Sequence, residues 1–174
     1  AYAHPCDAGD PAALRSFLDA ARDAQGSVDV LVHNASALAL GPDLSDWEAS
    51  LEVDLMAAVQ GAEHVLPWME EAGGGSILFV ASISGLEADP SPDCGYTAAK
   101  AALIAHAKKL AVMNAPRGIR VNAIAPGSIE FPGGVWATVK EQRPEMYEGV
   151  RASIPWVAWA HRRRWRTSPS SWCH

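Results

Sequence analysis

The sequence predicts an α/β fold, a doubly wound parallel sheet with helices on both faces, and three observations carry that prediction. Short apolar, β-branched runs (Val28–Val32, Ile77–Ala81, Ile119–Ile124) alternate with longer stretches of helical periodicity. The connections between those runs are long enough for crossover helices, as parallel strands require. Polar residues such as His33, Asn34 and Ser82 fall where each run ends, the place where open α/β sheets bind ligands.

The elements follow in order. Ala1 to Asp7 is mostly apolar, ends in an acid and reads as the end of a strand. Asp10-Pro11 is a helix start, a side-chain acceptor followed by a proline that needs no N–H partner. Leu14, Phe17, Leu18 and Ala21 recur at helical spacing until Gly26 stops the run. Val28 to Val32 is the first full strand, of the kind buried on both faces. After Gly41-Pro42 a second helical region from Ser45 carries Trp47, Leu51, Leu55, Val59, Val65 and Met69 up to Gly73-Gly74-Gly75, with Pro67 set to kink its last turns. Ile77 to Ala81 delivers Ser82, Ser84 and Gly85. Pro90 and Pro92 lead to a helix free of Gly and Pro between Tyr96 and Ala115, and Pro116-Arg117-Gly118 closes it.

Composition limits the function classes. The 174 residues are 49% hydrophobic and 20% charged, enough for a real core. The net charge of −6 hides an asymmetry, because Arg162, Arg163, Arg164 and Arg166 follow Trp156 and no acid does. Residues 1–156 hold 10 basic against 20 acidic side chains, a body poorly suited to nucleic acid. Cys6, Cys94 and Cys173 form no Cys-x-x-Cys pair, which argues against a disulfide framework or a metal site. No apolar run is long enough to span a membrane and no signal peptide opens the chain, so a cytoplasmic protein is expected.

The candidate chemistry lies on the long helix. Tyr96 and Lys100 are four apart and share a face. A neighbouring cation favours the phenolate, lowering the tyrosine pKa from its usual value of about 10. With Ser82 at the preceding strand end and Asn122-Ala123-Ile124-Ala125-Pro126-Gly127 after the helix, residues 1 to about 156 resemble the short-chain dehydrogenase/reductase family. The resemblance implies a Rossmann-like fold and hydride transfer between NAD or NADP and a small-molecule carbonyl or alcohol. Tyr96 would be the proton donor or acceptor, Ser82 the hydrogen-bond partner of the substrate oxygen, and Lys100 the residue that depresses the tyrosine pKa and holds the nicotinamide ribose. On the cofactor side Asp7 resembles the acid that contacts adenine, Asn34-Ala35 half of an Asn-Asn-Ala-Gly turn, and Pro126-Gly127 the loop flanking the nicotinamide. Ser84 is the competing serine, but Ser82 has the family's offset of three residues from Gly85. Homodimers or homotetramers through the helices at 45–72 and 96–114 are also implied.

The departures bear on activity. His33 and Ser36 replace the first Asn and the Gly of the turn, and Phe131 falls where a Thr often holds the carboxamide. Asp54 stands at the family's proton-relay Asn and cannot donate when ionised. The chain contains no Gly-x-x-x-Gly-x-Gly turn, whose backbone N–H groups approach the pyrophosphate. By resemblance it starts at the third strand, the sheet is incomplete at both ends, and the strand at Val28 has an open apolar edge. Poor dinucleotide binding follows as an expectation, and a non-catalytic fragment or scaffold is the alternative function. A substrate pocket would draw on residues 84–95 and 128–156, where Glu130, Phe131 and Trp136 offer an aromatic, acidic lining.

Residues 1–156 are thus expected as one partial domain and 157–174 as an aberrant Arg/Trp-rich tail. Tryptophan has one codon, TGG, so in a frame displaced by one nucleotide Trp156-Val157 and Trp159-Ala160 must each give Gly, and Trp172-Cys173 must give Val. With permitted codons elsewhere the tail then reads as a Gly-Arg turn and a helix opening Pro-Glu-Glu, which resembles the family's continuation. The expectation is a frame shift near Trp156, decided by the coding DNA.

Overall fold

The computed structural model describes residues 3–154 and 160–161, and the chain divides into two compact units, 1–125 and 126–174. The Arg/Trp-rich stretch lies outside the described residues apart from Ala160 and His161.

The first unit is built on a three-stranded parallel sheet in the order β1 (Val30–His33), β2 (Gly75–Val80), β3 (Ile119–Ile124). Helix α1 (Pro11–Gln25) starts as its sequence dictates: the Asp10 side chain accepts from the N–H groups of Ala12 and Ala13, and Gly26 ends the helix in the left-handed region at φ 82°. The second helical region is not uniform. It runs as α2 (Leu44–Ala49), a π-helical segment (Ser50–Met56) in which Ala57 N–H bonds the Glu52 carbonyl five residues back, and α3 (Ala57–Glu71), which contains Pro67. A 3-10 turn (Ile83–Gly85) follows β2, and α4 (Cys94–Asn114) is the long helix that carries Tyr96 and Lys100.

The register explains where the core sits. Leu31, Ile77 and Val121 lie side by side, as do His33, Phe79 and Ala123, all on one face. That face joins Leu14 and Leu18 of α1, Val65 and Met69 of α3, and Leu103, Ala107 and Leu110 of α4 in a single cluster. The alternate positions, Val30 beside Ser76 and Val32 beside Leu78, stay outside it, and Val30 is 60% and Val32 51% exposed. The fold class is therefore the expected one, with two corrections. The Val28 run is buried on one face only, because α1, α3 and α4 all pack on the other side of its pleat. Residues 3–7 form no strand and are exposed, because no described strand pairs with them.

The second unit contains a two-stranded parallel ladder of β4 (Ile129–Glu130) and β5 (Ala160–His161), with α5 (Val135–Gln142) and α6 (Pro144–Ser153). Tyr147 is buried and donates its hydroxyl to Glu130 Oε1 at 2.9 Å, while Lys140 Nζ lies 3.5 Å from the same oxygen.

Candidate active site

Strand β2 ends in Ala81, whose N–H bonds the Ile124 carbonyl of β3, so the chain leaves the sheet at a fixed point. Ser82 caps the 3-10 turn: its Oγ accepts from Ser84 N–H at 3.2 Å and donates to Ser84 Oγ at 3.3 Å. The turn is pressed against α4. A Cβ on Gly85 would stand 2.7 Å from both the Lys100 carbonyl carbon and the Ala101 nitrogen, so only glycine permits this approach. The offset between Ser82 and Gly85 thus has a steric cause.

The approach brings Ser82 to Tyr96, and the two hydroxyls share a hydrogen bond. Lys100, one turn along α4, is 2% exposed. Its Nζ donates to the Val80 carbonyl at 3.0 Å and lies 3.0 Å from Asp54 Oδ1. Relative to the tyrosine it sits over the ring, 5.4 Å from the centroid. Asp54 is fully buried within the π-helical segment, and its Oδ2 accepts from Ala37 N–H at 3.1 Å, tying down the loop after β1. Four elements therefore meet here: the end of β2, the N-terminal half of α4, the π-helical segment and the loop through Ala37.

The tyrosine pKa moves opposite to the expectation. Burial pushes the Tyr96 phenol above its usual value, the Ser82 hydrogen bond works the other way, and the Asp54 and Asp93 carboxylates raise it further. The Lys100 charge does not lower it because a carboxylate lies 3.0 Å from the ammonium.

His33, expected from the sequence only as a replaced turn residue, is part of the interior. It is 8% exposed, hydrogen-bonded to the backbone of Val53, and its buried Nε2 has no hydrogen-bond partner among the described residues. Desolvation by burial and the charge of Lys100 lower its pKa, against smaller opposing effects of the Val53 hydrogen bond and Asp54. The available signal was parity: His33 shares the inward phase of Leu31 on a period-two strand.

The cofactor-side positions are held differently. Asp7, Asn34 and Ala35 are all exposed, and Asp7 Oδ1 accepts from Gly9 N–H at 2.9 Å within its own turn. Ser36 makes a similar local bond, accepting from Leu38 N–H at 3.1 Å. Pro126 and Gly127 open the second unit, where Gly127 is exposed and a Cβ added to it would meet no atom within 4 Å. The pocket expected from 84–95 and 128–156 draws on both units, and within the second Glu130 is engaged by Tyr147 and Lys140.

A parallel sheet, a strand-end serine bonded to a helical tyrosine and a lysine one turn on define a class of oxidoreductase. A family model described as enoyl-(acyl carrier protein) reductase matches residues 1–163, and the chain belongs to the short-chain dehydrogenase/reductase family. It is 32% identical to the isoepoxydon dehydrogenase of Penicillium expansum over 149 residues, 86% of this chain and 58% of that protein. It is 38% identical to a 3-alpha-(or 20-beta)-hydroxysteroid dehydrogenase of Mycobacterium tuberculosis over 139 residues, 78% of this chain and 53% of that one. A solved structure of 7 alpha-hydroxysteroid dehydrogenase, complexed with NADH and 7-oxo glycochenodeoxycholic acid, superposes with a TM-score of 0.82 at 27% identity, covering 92% of this chain and 62% of that one. The chain thus spans about half the length of the curated relatives it matches.

Proposed function

We propose that this chain carries the proton-transfer part of a nicotinamide-dependent oxidoreductase acting on a small-molecule carbonyl or alcohol. The observation that carries the reading is the hydrogen bond between the Ser82 and Tyr96 hydroxyls, with Lys100 buried one turn away.

The donor set fits the nicotinamide-ribose end of NAD or NADP. An ammonium has three donors, and Lys100 commits one to Val80 and faces Asp54 with another, which leaves a third for a ribose hydroxyl. Asp7, Asn34, Ala35, Pro126 and Gly127 are the further contacts proposed for the cofactor. When bound, the nicotinamide supplies or accepts the hydride. Tyr96 gives its proton to the substrate oxygen in reduction and takes one in oxidation, while Ser82 donates a hydrogen bond to that oxygen as charge develops on it. Asp54 acts behind Lys100. The NADH in the related hydroxysteroid dehydrogenase structure and the relatives' names support a nicotinamide cofactor and a small-molecule substrate for this chain. A non-catalytic scaffold is the weaker reading, since both of those relatives are named as dehydrogenases.

Two further points belong to the reading. Exposed Leu51 and Met56 on one helical region and Val112 and Met113 on another support homodimers or homotetramers. Exposed free thiols at Cys6 and Cys94 support a reducing, cytoplasmic setting; among the described residues no helix is long and apolar enough to cross a membrane.

The test is turnover of the full chain with NADH or NADPH and a panel of ketones, followed by loss of nicotinamide absorbance. Tyr96→Phe lowers kcat by about 100-fold or more, the scale of a lost general acid. Equal turnover by the wild type and Tyr96→Phe overturns the assignment.

A further inference from the structure

We propose that Asp54 is a positioning residue that draws the Lys100 ammonium into a buried ion pair away from the Tyr96 hydroxyl, keeping Tyr96 a phenol and biasing the site toward proton donation. This inference rests on the role proposed for Tyr96, and it assigns a direction that neither the family nor the relatives' names supply.

The geometry is specific. An i, i+4 pair on a helix places the two side chains on one face, yet Lys100 Nζ stands over the Tyr96 ring, 5.4 Å from its centroid, with the Val80 carbonyl and Asp54 Oδ1 each at 3.0 Å. The lysine and aspartate side chains are 3% and 0% exposed, so bulk solvent does little to screen either charge. The carboxylate cannot follow the lysine toward the phenol, because Ala37 N–H holds its other oxygen at 3.1 Å and the π-helical turn fixes its backbone.

The charges around the phenol add up in one direction. Ser82 faces it from the end of β2, Lys100 from its own helix, Asp93 from the residue before α4, and Asp54 from the π-helical segment. His33, from β1, faces Lys100 and Asp54 rather than the phenol, and its burial favours the neutral ring. Lys100 is the one cation in this set that favours phenolate, and Asp54 offsets it; Asp93 adds to the opposite side. The upward displacement of the Tyr96 pKa agrees with this arrangement.

The chemical consequence is balanced. In reduction the Tyr96 O–H bond breaks and its proton goes to the carbonyl oxygen as a hydride from a reduced nicotinamide reaches the carbonyl carbon. The carbonyl gains two electrons, the nicotinamide loses them, and the phenolate left behind recovers its proton from solvent. A tyrosine held as phenol is ready for that step at neutral pH and needs alkali for the reverse one.

The test is a near-ultraviolet absorbance titration of phenolate in the full chain, with Tyr96→Phe subtracted to isolate Tyr96 and circular dichroism recorded at each pH. The wild-type Tyr96 stays a phenol to pH ~10 or beyond, the usual tyrosine value. Asp54→Asn, of the same shape without the charge, lowers the midpoint by about one pH unit, tenfold in proton affinity. Asp54→Asn/Lys100→Gln returns it to the wild-type value. An unchanged or raised midpoint in Asp54→Asn overturns the proposal, as does a wild-type midpoint well below that of free tyrosine. Should Asp54→Asn fail to fold, the wild-type midpoint and the double variant decide; a double variant titrating well above wild type also overturns it. No turnover is needed. A chain that shows the shift but reduces no carbonyl refutes the proposed function alone, and one that turns over through Tyr96 without the shift refutes this inference alone.

Discussion

Lys100 and Asp54 sit in the interior with three partners between them on three different elements, whereas Asp7, Asn34 and Ala35 are exposed and Asp7 satisfies itself within its own turn. Both groups of residues come from one family pattern. The chain by itself organises the proton-transfer end, because the elements that fix it (β2, α4 and the π-helical segment) all lie within residues 1–125 and share the core. The adenine-side positions have no comparable framework among the described residues. Pre-organisation is therefore a property of the contacts around a residue and not of the motif it belongs to.

Three measurements break or sharpen that contrast. The largest effect is expected from Lys100→Met, which leaves the Asp54 carboxylate buried beside a methyl group; loss of one member of a buried pair costs about 3–5 kcal/mol, read as a lower urea midpoint. A cost near zero would place the pair with solvent-exposed ones and erase the contrast. The second effect is a loss of stability in acid. His33 and His106 both have buried Nε2 atoms without partners among the described residues, and desolvation is the first cause lowering each pKa below 6.5. The unfolded chain then binds more protons than the folded one, so stability is complete above the unfolded value and falls as the pH drops through it toward the folded pKa. Thermal melts from pH 8 down to about 5 check the sign, with His33→Asn and His106→Gln expected to flatten the slope. The smallest effect is Asp7→Ala, at about 0.5 kcal/mol or less, because an exposed side chain bonded to its own turn contributes little.

Much of this was legible in the residues themselves. Asp10 and Gly26 set the limits of α1, and the strand Ile119–Ile124 and the Tyr96 helix fall where the composition places them. The hidden part depends on tertiary neighbours. The sign of the Tyr96 shift could not be read from the Tyr96/Lys100 spacing, because the carboxylate that offsets the lysine comes from a residue 46 positions before it in the chain. The one-sided burial of β1 was equally silent, since Val30 and Val32 are as apolar as Leu31 and only the placement of the helices separates them. Residues 3–7 look like a strand end by composition, but a strand exists only where a partner accepts its hydrogen bonds.

The π-helical segment was invisible for a related reason: apolar residues recur through Ser50–Met56 much as they do in an ordinary helix. Its hydrogen bonds span five residues where an α-helix spans four, so it winds more slowly and changes the angular phase between α2 and α3. These two helices can then each present their own best face, and Asp54, in the slow turn, is aimed inward by that mismatch. A one-residue deletion between 50 and 56 would shorten the rod by little more than an ångström in an ordinary helix. Here it would act as a rotation, turning either the carboxylate away from Lys100 or the apolar stripe of α3 away from the sheet.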